Sequence, residues 1–188
     1  MPLIFISLSE SFTIKIQQYG FQSYTMRIED YKPTKTTYYV SPANSLCFMD
    51  GGIDKALSQI IFPNIEPKIK SIVREIGIKN LLGRYYLPIG SSIIVDNLVI
   101  APTMLLPQDV SSTQNAYYAT IAILYNVLIN KKENIEKVDI LMTSFCCGYG
   151  KMDEDIAIKQ ILTGIKDYNS YNPYVINENI IVNEPNLK

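Results

Sequence analysis

The stretch VSPANSLCFMDGGIDKAL, residues 40–57, runs from the end of a predicted apolar strand to the start of a predicted helix. It contains a short polar turn at residues 41–44 and two consecutive glycines, Gly51 and Gly52, at the helix start. A glycine has no Cβ, so its backbone can approach a ligand closely, and the free N–H groups at a helix start favour an anion. Ligands of α/β sheets bind at the carboxyl ends of strands, so this stretch predicts a ligand loop.

A second segment near the C-terminus has the same pattern. The predicted strand KVDILMTS, residues 137–144, leads into FCCGYGKM, residues 145–152, and then into a helix. Gly before a helix is by itself more often plain turn chemistry than an anion site. The occurrence of two such loops, each after an apolar strand, favours a site that holds a diphosphate between them.

Short β-rich runs alternate with longer amphipathic runs along the rest of the chain. Such alternation favours an α/β sheet with helices on both faces. Helical spacing in the run at 112–130 indicates a buried face of larger side chains, at Tyr117, Ile121, Leu124, Tyr125 and Leu128. Strands are predicted at residues 3–8, 24–29, 36–41, 91–95, 98–102 and 137–144, and helices at about residues 10–19, 52–62, 65–79, 112–130 and 152–167.

Composition indicates an ordinary globular chain. At 188 residues with 47% hydrophobic content, we expect a single domain over residues 1–168 and an Asn- and Pro-rich tail over 169–188 that adds at most one strand. The 17 basic and 18 acidic residues nearly cancel, so nucleic acid is not an expected partner. No apolar run approaches the roughly 20 residues that a membrane span needs, and the first residues lack signal-peptide features. We therefore expect a soluble, cytoplasmic protein.

The absence of histidine limits the chemistry available to the chain. With no His in the sequence, Ser-His-Asp and Cys-His catalysis and His-ligated zinc are excluded. The three cysteines, Cys47, Cys146 and Cys147, suit neither a disulfide framework nor a C-x-x-C metal site. We expect no metal and no cofactor, and we expect the thiols to be reduced. Any catalysis must then use carboxylates, Lys, Tyr, Cys or groups of the substrate.

Three segments of the sequence resemble macro domains. VSPANSLCFMDGGIDKAL is similar to the first ligand loop of that family, in which a Pro-Ala-Asn or Ala-Ala-Asn turn precedes a Gly-rich segment. Residues 101–124 are similar to the middle of one macro branch, and residues 141–161 to its second, phosphate-binding loop. The match covers about residues 41–161. It implies a three-layer α/β/α fold with a central mixed sheet, which binds ADP-ribose or ADP-ribosylated protein.

The resemblance also implies roles for individual residues. Asn44 matches the Asn that contacts the distal ribose, and an Asx turn after the strand is the alternative explanation. Asp54 matches the Asp of the family's Gly-Gly-Val-Asp segment, although a first-turn Asp stabilised by the helix dipole is the alternative. Asn44 and Asp54 are the catalytic candidates. The ligand-binding candidates are Asp30, Ala43, Asn44, Gly51, Gly52, Ile53, Cys147, Gly148, Tyr149, Gly150 and Lys151, with Tyr168 as a further candidate for the adenine wall.

The second loop departs from the family pattern. Where that branch usually has Gly-Thr-Gly, this chain has Cys146, Cys147 and Gly148, and Cys146 carries a Cβ that restricts its backbone. The thiols suit small buried side chains better than a nucleophile. Three functions remain open from the sequence: an ADP-ribose reader, a hydrolase acting on an ADP-ribosyl bond or on ADP-ribose 1″-phosphate, and a scaffold that has lost the ligand.

Overall fold

A six-stranded mixed sheet forms the centre of the protein, whose structure, a computed structural model, describes residues 3–130 and 137–170. The sheet has the strand order β2-β1-β8-β3-β7-β6, in which only β6 runs antiparallel to its neighbour β7 among the described strands. A separate antiparallel pair joins β4 to β5. The strands are β1 (Leu3–Ser7), β2 (Gln22–Thr25), β3 (Thr36–Ser41), β4 (Ile78–Lys79), β5 (Tyr85–Tyr86), β6 (Ile93–Val95), β7 (Leu98–Ile100) and β8 (Val138–Thr143).

Helices cover both faces of the sheet. The first and last are α1 (Glu10–Gln17) and α5 (Glu154–Ser170), and α4 (Asn115–Leu124) continues as π-helical turns to residue 130. These three pack on one face, whereas α2 (Gly52–Ala56) and α3 (Ile65–Ile76) pack on the other. The expected three-layer α/β/α fold with a mixed sheet is thereby confirmed.

The central strands are buried on both faces, because the side chains on each face of the sheet pack against a layer of helices. In β1, Leu3 and Phe5 belong to the core under α1, α4 and α5, whereas Ile4 and Ile6 belong to the core under α2 and α3. This is the pattern of a covered parallel strand, whose apolar run does not alternate with polar residues. No helix in the described part of the chain is long and apolar enough to span a bilayer.

The predicted bounds of the second strand were wrong. The strand expected at residues 24–29 lies at Gln22–Thr25, and Ile28–Asp30 forms a 3-10 turn. The reason is the register of the sheet: β2 pairs only with β1, whose last residue, Ser7, lies opposite Thr25. Beyond that point the chain has no strand to pair with.

The buried face of α4 also differs from the expected one. Ala116, Ala119, Ile123 and Val127 are buried together with Leu124, while Tyr125 is exposed and the other expected side chains are only partly buried. The small side chains let α4 approach α5, where a Cβ on Gly164 would lie 3.1 Å from Thr120. The expected C-terminal strand falls on residues 171–188, outside the described residues.

Candidate functional site

A cavity of about 830 Å³ opens at the carboxyl ends of β1, β2, β3 and β8. This volume lies in the range of small-molecule sites, and the edge of the sheet is the one where α/β folds bind their ligands. Both loops singled out in the sequence line it. Among the candidate residues, it is bordered by Asn44, Gly51, Gly52, Ile53, Asp54, Cys147, Gly148, Tyr149 and Gly150.

The amide of Asn44 holds the first loop in shape. Its Oδ1 accepts hydrogen bonds from the N–H of Leu46 at 3.1 Å and of Phe48 at 3.3 Å, and its Nδ2 donates to the Phe48 carbonyl at 3.0 Å. The local turn that offered an alternative explanation for this Asn is therefore present. The side chain also borders the cavity, and the second N–H of its amide forms no hydrogen bond within the loop.

The two glycines of the first loop face open space. Gly51 is the N-cap of α2, with an extended φ of −138°, and Gly52 has a φ of +54°, which favours glycine. A Cβ at either position would meet no heavy atom within 4 Å. Among the contacts of the described residues, the N–H groups of residues 51–53 find no acceptor in the protein. Their donors are thus available at the cavity wall.

Asp54 is a carboxyl of the cavity wall whose pKa is raised. Its Oδ1 accepts a hydrogen bond of 2.6 Å from Ser41 Oγ at the end of β3. Burial raises the pKa of the Asp54 carboxyl to about 6; the hydrogen bond from Ser41 opposes this rise, and the charge of Asp50 adds to it. The side chain keeps some contact with the cavity, but it is closely surrounded by protein atoms, and this accounts for the strong effect of burial.

The second loop combines a strained corner with an open glycine. Cys146 is buried and has a φ of +65°, a left-handed conformation that strains a residue with a Cβ. A Cβ on Gly150 would lie 2.5 Å from the Cys146 carbonyl oxygen, so Gly150 is required for packing. In contrast, a Cβ on Gly148 would meet nothing within 4 Å. Tyr149, 73% exposed, lies between the two glycines at the cavity edge.

The two thiols of this loop are poor nucleophiles. Burial raises the pKa of both Cys146 and Cys147 to about 12, and no cationic side chain offsets it. Cys147 borders the cavity, but its Sγ lies 3.3 Å from the carbonyl oxygen of Phe145. The structure therefore supports the interpretation of these thiols as packing groups.

Four of the expected residues lie away from the cavity lining. Asp30 is exposed at the end of the 3-10 turn, and Ala43 is fully buried beneath the loop. Lys151 Nζ lies 3.9 Å from Asp109 Oδ2, and Tyr168 packs against the core formed with α4 and α5. Their roles as ligand contacts receive no support from these positions.

Sequence reasoning missed a charged pair at one end of the cavity. Glu29, not Asp30, borders it, and Arg27 Nε donates to Glu29 Oε1 at 2.7 Å. Among the described residues of the lining, Arg27 is the one basic side chain, while Asp50, Asp54 and Glu154 add negative charge. An anionic ligand would therefore depend on backbone N–H groups. In the sequence, the only indication of this charged end of the cavity was the pair of adjacent acids in RIED, residues 27–30.

Comparison with known proteins finds a similar fold in a solved structure. No model of a known protein family matches the sequence, and no curated protein matches it. A solved structure, a mutant of the Oceanobacillus iheyensis macrodomain with ADP-ribose, matches the fold with a TM-score of 0.60 and 16% identity. The match covers 90% of this chain and 79% of that one. Within residues 3–130 and 137–170, no group of three or more Cys, Asp and Glu could hold a metal ion. The chain has the fold of a macrodomain.

Proposed function

We propose that the protein binds ADP-ribose, or a close derivative that is free or attached to a protein, in the cavity at the carboxyl ends of the strands. The observation that carries this proposal is the pairing of two glycine loops, at residues 51–53 and 148–150, across one cavity. In these loops, a Cβ on Gly51, Gly52 or Gly148 would meet no heavy atom within 4 Å, so the backbone there is open to a ligand. The solved macrodomain that shares the fold was determined with ADP-ribose, which supports the same ligand class here.

In this proposal the diphosphate lies between the two loops. The N–H groups of residues 51–53 supply donors on one side, and those of residues 148–150, which also have no acceptor in the described part of the chain, supply them on the other. Several backbone N–H dipoles directed at one point can bind a phosphate group without a cationic side chain. The carboxylates of Asp50 and Asp54, which also line the cavity, oppose this binding. The remaining amide N–H of Asn44 would donate to a ribose hydroxyl. The exposed ring of Tyr149 would cover the ligand.

Thermal unfolding with added ligand tests the proposal. At a concentration near 100 times the dissociation constant, linkage stabilises the folded protein by about 2.7 kcal/mol, a midpoint rise of roughly 5–10 °C for a chain of this length. ADP-ribose should produce this rise more strongly than AMP, ADP or NAD. Gly148→Val should keep the stability of the parent, since a Cβ there is unobstructed, but lose the ligand-induced rise.

Gly148→Ala provides a graded control. Its single methyl group should reduce the affinity less than the branched Val side chain does, with the same folded stability. If millimolar ADP-ribose leaves the midpoint of the parent unchanged, the proposal fails. A Gly148→Val variant that folds and binds like the parent would show that the phosphate path lies elsewhere.

Asp54 favours a second candidate function, hydrolysis of an ADP-ribosyl bond or of ADP-ribose 1″-phosphate. A carboxyl with a pKa of about 6 at the wall of the cavity can exchange a proton near neutral pH, as a general base or acid must. With no His in the chain, this carboxyl is the best available group for activating a water. Positioning by the loops would supply much of the rate. Asn44 would contribute by holding the loop that carries the ribose contact.

Turnover assays separate the hydrolase from a non-catalytic reader. The parent, Asn44→Ala and Asp54→Ala are incubated with mono-ADP-ribosylated protein and with ADP-ribose 1″-phosphate, and both product release and ADP-ribose affinity are measured. A catalytic Asp54 predicts lost turnover with retained binding. Binding without turnover by the parent would leave the reader function, and the absence of both would leave a scaffold that has lost its ligand.

A further inference from the structure

Thr143, the last residue of β8, has a hydroxyl with no partner. Thr143 is 4% exposed. Among the residues that the structure describes, its Oγ1 is the one buried side-chain polar atom that forms no hydrogen bond. A buried hydroxyl that forms no hydrogen bond destabilises the folded protein, so such groups are rare and require an explanation. Thr143 also borders the cavity. A ligand in that cavity is the natural source of the missing partner.

The direction of the Thr143 side chain follows from its strand. Residues two apart in a strand share a face, so Thr143 lies on the face of Leu141, which belongs to the core under α2 and α3. Ile6, directly opposite Thr143 in β1, belongs to the same core, as does Ile28, and Ile53 packs against it. All three isoleucines border the cavity. The Thr143 side chain therefore lies beside three apolar side chains of the cavity wall.

The neighbouring hydroxyl groups are already engaged within the protein. Ser7 Oγ and Ser144 Oγ are 3.1 Å apart and share a hydrogen bond, and Ser7 Oγ also accepts from the N–H of Ser9. Ser9 Oγ in turn accepts from the N–H of Phe12 at the start of α1. Thr143 is thus the member of this group whose donor and acceptor capacity is unused.

We propose that Thr143 is a specificity-determining residue whose hydroxyl forms a hydrogen bond with the base of the bound nucleotide. This inference rests on the proposed function, because it takes a nucleotide as the occupant of the cavity. An apolar wall with one well-placed polar group is the usual environment of a planar ligand ring. The unpaired hydroxyl destabilises the protein without ligand, and the bound nucleotide supplies its hydrogen-bond partner.

Thr143→Val tests the proposal, because it removes the hydroxyl and keeps the branched shape. The variant without ligand should unfold about 2–6 °C above the parent, since it no longer buries an unpaired hydroxyl. Its affinity for ADP-ribose should fall roughly 3- to 10-fold, the range of one hydrogen bond. Thr143→Ser, which retains the hydroxyl, should bind within about twofold of the parent.

Thr37→Val is the matched control. Thr37 is equally buried at 4% exposure, but its Oγ1 donates to the Lys35 carbonyl at 3.0 Å near the opposite end of the sheet. This variant should gain no stability and should bind ADP-ribose like the parent. The affinity for ADP, which keeps the base but lacks the second ribose, is measured by direct titration and should fall by the same factor in Thr143→Val as the affinity for ADP-ribose.

The outcomes distinguish this inference from the proposed function. If the parent does not bind ADP-ribose, both are overturned. If the parent binds and Thr143→Val binds equally tightly, the inference alone is overturned, whatever the stability of the variant. Equal affinity of ADP for parent and variant, measured by direct titration, would also overturn it, because the hydroxyl would then not contact the nucleoside half.

Discussion

Asp54→Asn should stabilise the protein at neutral and alkaline pH. The pKa of Asp54 rises from 3.8 to about 6 on folding, so above pH 6 the folded state holds a carboxylate that it disfavours. At 1.36 kcal/mol per pKa unit, this destabilises the folded parent by about 3 kcal/mol at pH 8. Loss of a favourable charge in the first turn of α2 offsets about 0.3–1 kcal/mol. The net gain of about 2 kcal/mol corresponds to a midpoint roughly 4–8 °C above that of the parent.

The pH dependence of the stability gained by Asp54→Asn shows whether the buried carboxylate causes it. The folded pKa is raised, so the parent becomes more stable as pH falls through 6 toward 3.8, whereas the Asn variant has no such dependence at this position. Urea unfolding at pH 8, 6 and 4 should show the difference at pH 8 and none near pH 4.

The control is Asp50→Asn, which makes the same charge change at an exposed position of the same loop and should alter stability by less than about 1 kcal/mol. An Asp54→Asn variant less stable than the parent at pH 8, or a difference independent of pH, would refute the reasoning. In the first case, capping of α2 by the carboxylate would outweigh its burial.

Three further predictions concern the two loops. ADP-ribose should bind more tightly at pH 6 than at pH 8, because protonation of Asp54 removes a charge near the diphosphate, and calorimetry on Asp54→Asn should show this dependence flattened. Gly150→Ala should lose about 1–3 kcal/mol in urea unfolding, since its Cβ would lie 2.5 Å from the Cys146 carbonyl oxygen, whereas Gly148→Ala should unfold like the parent. Iodoacetamide should modify Cys146 and Cys147 slowly in the native protein, because burial raises the pKa of both thiols to about 12, and rapid labelling blocked by ADP-ribose would instead indicate a reactive thiol in the site.

The fold class could be predicted from the sequence because it depends on local patterns. Apolar runs such as Leu3–Ser7 and Val138–Thr143 are buried on both faces, and such runs alternating with amphipathic helices are compatible with few architectures. The loops at residues 41–54 and 145–152 could also be predicted from the sequence, since Gly and Asn at strand ends mark backbone geometry directly. The structure places both loops at one cavity, as their positions after parallel strands indicated.

Other features depend on which segments meet in space, and only the tertiary structure decided them. The end of β2 was set by its partner β1, and the buried face of α4 by close approach to α5, where Ala side chains fit and larger ones do not. Of the adjacent acids, Glu29 and not Asp30 reached the cavity, because a 3-10 turn and not a strand carries them. The raised pKa of Asp54 and the unpaired hydroxyl of Thr143 arise from burial. Burial sums contacts between residues far apart in sequence, which no local pattern contains.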